Sequence, residues 1–216
     1  QAEDGIRDLA SSLVGSEMCI RDRVITTKYL VVLFLLLMTG ACQTVDESSQ
    51  SSDTKRLAMV SHFDSKYIIS ASKNTFAWKA DSSFVLASEH IKPGEFKPLI
   101  ENAITVALKN KGYKYSKNVD NSDLLVSYAA GLEEELSDKE ITRRFGMIPG
   151  LQGNSAKQEK YEKGTIVVDI FDKSTNKSVW RGVVQGFADL KMSTAERSKR
   201  LESIMQQLLA EFPAIL

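Results

Sequence analysis

The sequence predicts an α+β domain: a mostly antiparallel sheet with two main helices packed on one face, in the order β-α-β-β-β-α. Three observations carry this. Residues 98–111, PLIENAITVALKNK, and residues from about Ala195 to Glu211 place aliphatic side chains at helical spacing. Thr165–Asp172 (TIVVDIFD) and Ser178–Asp189 (SVWRGVVQGFAD) are β-branched and aromatic runs. The short polar connection Lys173–Lys177 joins them as a hairpin.

The elements follow in chain order. Tyr67–Ser72 and Thr75–Trp78 are short strand candidates. In the first helix Leu99, Ile100, Ala103, Ile104, Ala107 and Leu108 make the apolar stripe; Pro98 suits the first turn and Gly112 a left-handed cap. Leu124–Tyr128 is a strand entered through the polar turn Asn118–Asp123. Ser137 with Glu140 offers a capping box, so Asp138–Phe145 reads as a short helix. The following stretch to Gly164 is a glycine-punctuated loop of a length that is usually functional or disordered. Gly182 and Gly186 in the last strand mark bulges or a close helix approach. Ser193 with Glu196 starts the last helix, whose stripe is Leu201, Ile204, Met205, Leu208, Leu209 and Phe212, and Pro213 stops it.

Composition narrows function. The 216 residues are 43% apolar and 26% charged, an ordinary globular balance. With 28 basic and 28 acidic side chains, the chain lacks the basic excess that nucleic-acid binding through phosphates requires. Two cysteines are too few for a disulfide scaffold or a self-contained zinc site.

The amino-terminal part divides into three. Residues 1–23, QAEDGIRDLASSLVGSEMCIRDR, resemble translated sequencing-adapter read-through and are set aside as an artefact leader. Residues 24–41 read as a signal peptide: Lys28 closes a short n-region, and Tyr29–Met38 is an unbroken apolar run too short to span a bilayer. Thr39, Gly40, Ala41 and Cys42 resemble the lipobox of bacterial lipoproteins, although Thr39 stands where Leu is usual. That resemblance implies cleavage between Ala41 and Cys42 and acylation of Cys42, since stable anchoring takes more than one acyl chain. It also implies that Gln43 directs sorting to the outer membrane. Residues 42–55 form the lipidated cysteine and a Ser- and Gln-rich tether, and 56–216 the folded domain. Removing residues 1–41 leaves 175 residues with 24 basic and 23 acidic side chains, and Cys42 as the last cysteine.

The domain resembles bacterial lipoproteins of the domain-of-unknown-function 4136 family. The resemblance rests on NTFAW (74–78), the helix ending in KGY (111–113), NSDLLVSY (121–128), GTIVVDIFDKSTNKSVWRGVVQG (164–186) and the closing helix ending FP (212–213). It implies a secreted, lipid-anchored envelope protein facing the periplasm, and no established activity.

Candidate chemistry is sparse. Asp169 and Asp172 fall on opposite faces of one strand and make a poor carboxylate pair, Asp172 suiting the hairpin turn instead. His62 and His90 lack metal-pair spacing, and neither a nucleophile elbow nor a phosphate loop is present. Trp180 reads as core and Arg181 as solvated or ion-paired. The expectations are therefore no catalytic residue, cofactor or metal, and a membrane partner reached through Cys42. Two functions are open: a non-catalytic binding or structural module that docks an envelope protein or surface polymer, and a carrier of a lipid or other apolar ligand between helices and sheet. A hydrolase is a distant third.

Overall fold

A computed structural model describes residues 56–148, 150–151, 161–189 and 191–215. The leader, the signal-like segment, Ala41, Cys42, Gln43 and the tether to residue 55 lie outside the described residues, as do residues 152–160 of the long loop.

Among the described residues seven strands form one sheet: β1 (Leu57–Phe63), β2 (Thr75–Trp78), β3 (Phe84–Val85), β4 (Lys114–Tyr115), β5 (Leu124–Leu132), β6 (Tyr161–Asp172) and β7 (Lys177–Asp189). Their order is β1-β7-β6-β5-β2-β4, with β3 also on β5. The sheet is mixed, which corrects the expectation of a mostly antiparallel one. β1, β7, β6 and β5 pair antiparallel, whereas β2 and β3 run parallel to β5 and β4 runs parallel to β2. The cause is the helix α1 (Pro93–Asn110), which forms a crossover between β2 and β4 and so returns the chain in the same direction.

The element order is correspondingly richer than β-α-β-β-β-α. β3 and β4 have two residues each, too few to show a period. β1 carries the mixed run LAMVSHF at the sheet edge and pairs with β7 from Leu57↔Gly186 to Phe63↔Trp180. The expected strand at Tyr67–Ser72 is instead an irregular connection. Ile68 there is exposed, Ser70 and Ser72 hydrogen-bond each other, and the Tyr67 hydroxyl donates to Asp172 at 3.1 Å.

Helix α1 starts at Pro93, earlier than Pro98, because Pro93 already supplies a favourable first-turn residue. It ends as expected, with Gly112 at φ 91° and the Tyr113 N–H donating to the Leu108 carbonyl. α2 (Asp138–Phe145) forms where expected, the Ser137 side chain accepting from the Glu140 N–H and Gly146 closing it at φ 67°. α3 (Thr194–Leu208) opens with a complete capping box between Ser193 and Glu196, and its last expected turn, Leu209–Glu211, is a 3-10 turn.

Alternation along the strands divides the core in two. Phe76, Val126, Val168, Ile170 and Trp180 belong to the core under α1 and α3, together with Ile104, Met205 and Phe212. Ala129, Val167 and Val183 belong to a second core with Leu136, Met147 and Ile141 of α2. The two main helices thus share one face, and the short one covers part of the other. α1 and α3 run side by side in the same direction, with contacts at Phe96–Arg197, Asn102–Glu202 and Lys111–Ala210.

The register shift lies at Ile170/Phe171, where Ile170 pairs Trp180 and Phe171 pairs Ser178, leaving Val179 extra on β7. Neither glycine of β7 is the bulge. Gly182 is a close approach: a Cβ there would overlap the Trp180 ring and crowd Leu208 of α3.

Candidate ligand cavity and the polar face opposite

The helix-side core is incomplete at one end. A cavity of about 140 Å³ lies between the first halves of α1 and α3 and the ends of β5, β6 and β7. Phe96 and Ile100 of α1, Leu201 and Ile204 of α3, and Ile166 and Val184 of the sheet give it apolar walls. Its floor includes Gly164 and Gly186, directly paired across β6 and β7 in phase with Ile166 and Val184. Leu57 of β1 packs over Gly186, 2.7 Å from where a Cβ would stand, whereas Gly164 leaves the sheet surface low. A Cβ on Gly164 would meet only ordinary van der Waals contacts, the nearest being Leu132 at 3.6 Å. The volume resembles that of an apolar cavity of roughly 150 Å³ that stays dry and accepts a benzene-sized guest.

Among the described residues, polar ones on the lining are few: His90, Asp189, Arg197, Arg200 and Thr165, whose hydroxyl is taken by Gln185 on the other face. Arg197 lies over the Phe96 ring, 5.2 Å from its centroid. Arg200 donates to the Phe187 carbonyl at 2.8 Å, and burial pushes its guanidinium pKa down against the opposing influence of Asp189 and Tyr161. These side chains stand where aliphatic wall gives way to the start of α3.

The other face of the sheet carries a polar track beneath and beside α2. Lys163 is 3% exposed, and its Nζ donates to Asp138 at 2.9 Å and to Glu133 at 3.3 Å. Gln185, fully buried, donates to Asp138 at 2.7 Å and to Thr165 at 3.1 Å, and its carbonyl oxygen accepts from the Leu151 N–H at 3.4 Å. Burial alone would raise the Asp138 pKa, but the bonds from Gln185 and Lys163 prevail and hold it below the usual carboxylate value. Next on the track, Arg181 Nε donates to Asp169 at 2.8 Å and Nη1 to the Phe145 carbonyl at the end of α2 at 2.7 Å.

Asp169 and Asp172 are both buried and are not brought together as a dyad. Asp169 is held by Arg181 and Ser178. Asp172 caps the hairpin turn through Thr175 N–H at 2.9 Å and Ser174, as its position suggested, and also binds Lys73 at 2.7 Å. Burial opposes ionisation of Asp172, yet the donors Lys73, Ser174, Thr175 and Tyr67 keep its pKa far below normal. Trp180 is core at 1% exposure and Arg181 is ion-paired, both as read from the sequence. His62 stands exposed on β1, whereas His90 lines the cavity.

Sequence reasoning missed Lys163, Gln185 and Gly164. The available signal was phase: Lys163 shares the strand parity of Thr165, Val167 and Asp169, so its charge falls on a face the strand otherwise buries.

No curated protein matches the chain. Among solved structures, a DUF4136 family protein from Bacteroides thetaiotaomicron is similar at 15% identity, covering 74% of this chain and 97% of that one with a TM-score of 0.47. The PelC dodecamer from Paraburkholderia phytofirmans is similar at 10% identity, covering 72% and 99% with a TM-score of 0.45. The sequence profile of the domain of unknown function DUF4136 matches residues 59–214, most of the chain, and the protein belongs to that family.

Proposed function

We propose that this protein is a lipid-anchored component of the bacterial cell envelope whose domain binds an apolar ligand, without catalysis, in the cavity between α1, α3 and the sheet. Acyl chains on Cys42, exposed by cleavage after Ala41, hold it on the periplasmic face of the outer membrane, with Gln43 as the sorting residue. The cavity is the observation that carries the reading. A fully packed helix–sheet interface would favour a plain docking module, but above Gly164 there is a space with almost entirely apolar walls. Supporting the non-catalytic part, the buried carboxylates Asp169 and Asp172 each serve a structural cation and hydrogen-bond donors.

The test is photoaffinity labelling of the full-length chain in phosphatidylcholine vesicles with a diazirine-bearing medium-chain alcohol. Crosslinks mapping to the first halves of α1 and α3, and lost in Gly164→Leu, are the expected result. Labelling that Gly164→Leu leaves unchanged, or no labelling of these helices, overturns the reading. The anchor is tested separately: metabolic acyl label on the protein disappears in Cys42→Ser if Cys42 is the acylated residue, and persists if it is not.

A further inference from the structure

We infer that the cavity takes a benzene-sized apolar group rather than the full length of a long acyl chain, and that Leu57 of β1 is the side chain that sets this limit. This rests on the reading of the cavity as an apolar ligand site and adds the size class of the ligand and the residue that selects it.

The inner end is closed by the core. Ile100 of α1 and Ile204 of α3 line the cavity. One turn further along, Ile104 and Leu208 are packed into the helix-side core at 0% and 2% exposure. An extended chain therefore finds no path inward between the helices, and the volume of about 140 Å³ matches a single ring instead.

The β1 side is closed by one side chain. Leu57 pairs with Gly186 in the β1–β7 ladder, so both residues belong to the helix side of the sheet. Gly186 presents no side chain, and Leu57 leans into the room this leaves, its Cδ2 2.7 Å from where a Cβ on Gly186 would stand. The floor is thus open above Gly164 and covered above Gly186. Shortening Leu57 joins the two areas and extends the cavity across the β6–β7 ladder, along the Gly164–Gly186 pair.

Leu57 is also the wall best placed to yield. Ile166 and Val184 stand in strands with a neighbour on each side, and Ile100 and Ile204 stand within α1 and α3. Leu57 is the half-buried first residue of β1, which among the described residues is paired to β7 alone at the sheet edge. Strand ends at such edges open most readily. A truncation there enlarges the cavity without removing a residue of the fully buried core, so the site changes size while the fold persists.

The experiment uses two probes on the full-length chain in phosphatidylcholine vesicles: a diazirine-bearing benzyl alcohol, and a naphthylmethyl alcohol that adds a second fused ring. Labelling of the first halves of α1 and α3 is read as the two-ring to one-ring ratio. Comparing that ratio between variants cancels the partitioning of each probe into the bilayer. At matched bilayer concentrations the unaltered chain is expected to favour the one-ring probe. Leu57→Ala is expected to raise the ratio at least about tenfold, and Leu57→Val, shorter by one methylene, about fourfold. A ratio that neither variant raises overturns Leu57 as the limit and leaves the apolar site standing. Labelling of the unaltered chain by the two-ring probe that equals or exceeds the one-ring labelling overturns the size limit itself. Failure of both probes to label these helices overturns the apolar site. Should Leu57→Ala fail to fold, Leu57→Val keeps a strand-favouring residue and still decides the assignment.

Discussion

Gly164 and Gly186 face each other across the β6–β7 ladder, on the helix side of the sheet, yet only Gly164 leaves the cavity floor open, because Leu57 packs over Gly186. Gly182, four residues before Gly186 on the same face, has the opposite consequence, because the Trp180 ring and Leu208 already occupy the space above it. Gly164 and Gly182 therefore make different predictions. Gly164→Leu fills empty apolar volume, so thermal or denaturant unfolding should show stability maintained or raised by about 1 kcal/mol, while ligand labelling is lost. Gly182→Ala forces the Trp180 ring to shift and should cost about 1–3 kcal/mol by the same measurement.

The contrast shows which parts of the fold were legible. The hairpin and both main helices were visible because their periods run through long segments, such as Ile100 to Leu108 and Thr165 to Asp172. α2 was visible from Ser137 and Glu140 alone, since the cap is a local hydrogen bond. The parallel part of the sheet was hidden. β3 and β4 are too short for a pattern, and their pairing depends on how the chain returns after α1. The cavity was hidden for a related reason: Gly164 is unremarkable until register places it on the helix side of the sheet, beneath Phe96, Ile100, Leu201 and Ile204 of the two helices.

Lys163 tests the polar face. It is nearly buried, and it joins Asp138 at the start of α2 to Glu133 at the end of β5. Lys163→Ala removes the cation and the aliphatic stem together, leaving Asp138 with Gln185 as its remaining side-chain donor, and should destabilise the domain by about 2–3 kcal/mol in denaturant unfolding. Lys163→Met keeps the stem without the charge and should recover at least half of that loss. Equal losses in the two variants would place the effect in the ion pairs rather than in packing.

Asp172 makes stability depend on acid. Its folded-state pKa is depressed despite burial, because Lys73, Ser174, the Thr175 N–H and Tyr67 all favour the carboxylate. The unfolded carboxyl titrates near 3.9, so the stabilisation is present above about pH 4 and is lost as pH falls toward the folded-state value. Asp172→Asn should cost about 2 kcal/mol at neutral pH. In urea unfolding at a series of pH values, its deficit relative to the unaltered protein should shrink steadily below about pH 4.

Tyr113 gives the alkaline counterpart. The ring is buried at 2% exposure, stacks on Phe212 with centroids 5.3 Å apart, and donates its hydroxyl to the Pro213 carbonyl at 3.1 Å, tying the end of α1 to the turn after α3. Burial pushes the phenol pKa up to about 12. An unfolded tyrosine titrates near 10, so the native state holds the proton more tightly, and the associated stability is complete below about pH 10. It is then lost as pH rises through about 12. Burial and the neighbouring carboxylates Asp172 and Glu101 also push the Tyr67 and Tyr128 phenols up, so phenolate absorbance during alkaline titration should show a late-titrating component that shrinks by one phenol in Tyr113→Phe. The same substitution should remove the contribution of Tyr113 to alkaline destabilisation and cost about 1 kcal/mol at neutral pH for the lost hydrogen bond. A titration in which Tyr113→Phe leaves the late component unchanged would assign that component to another phenol.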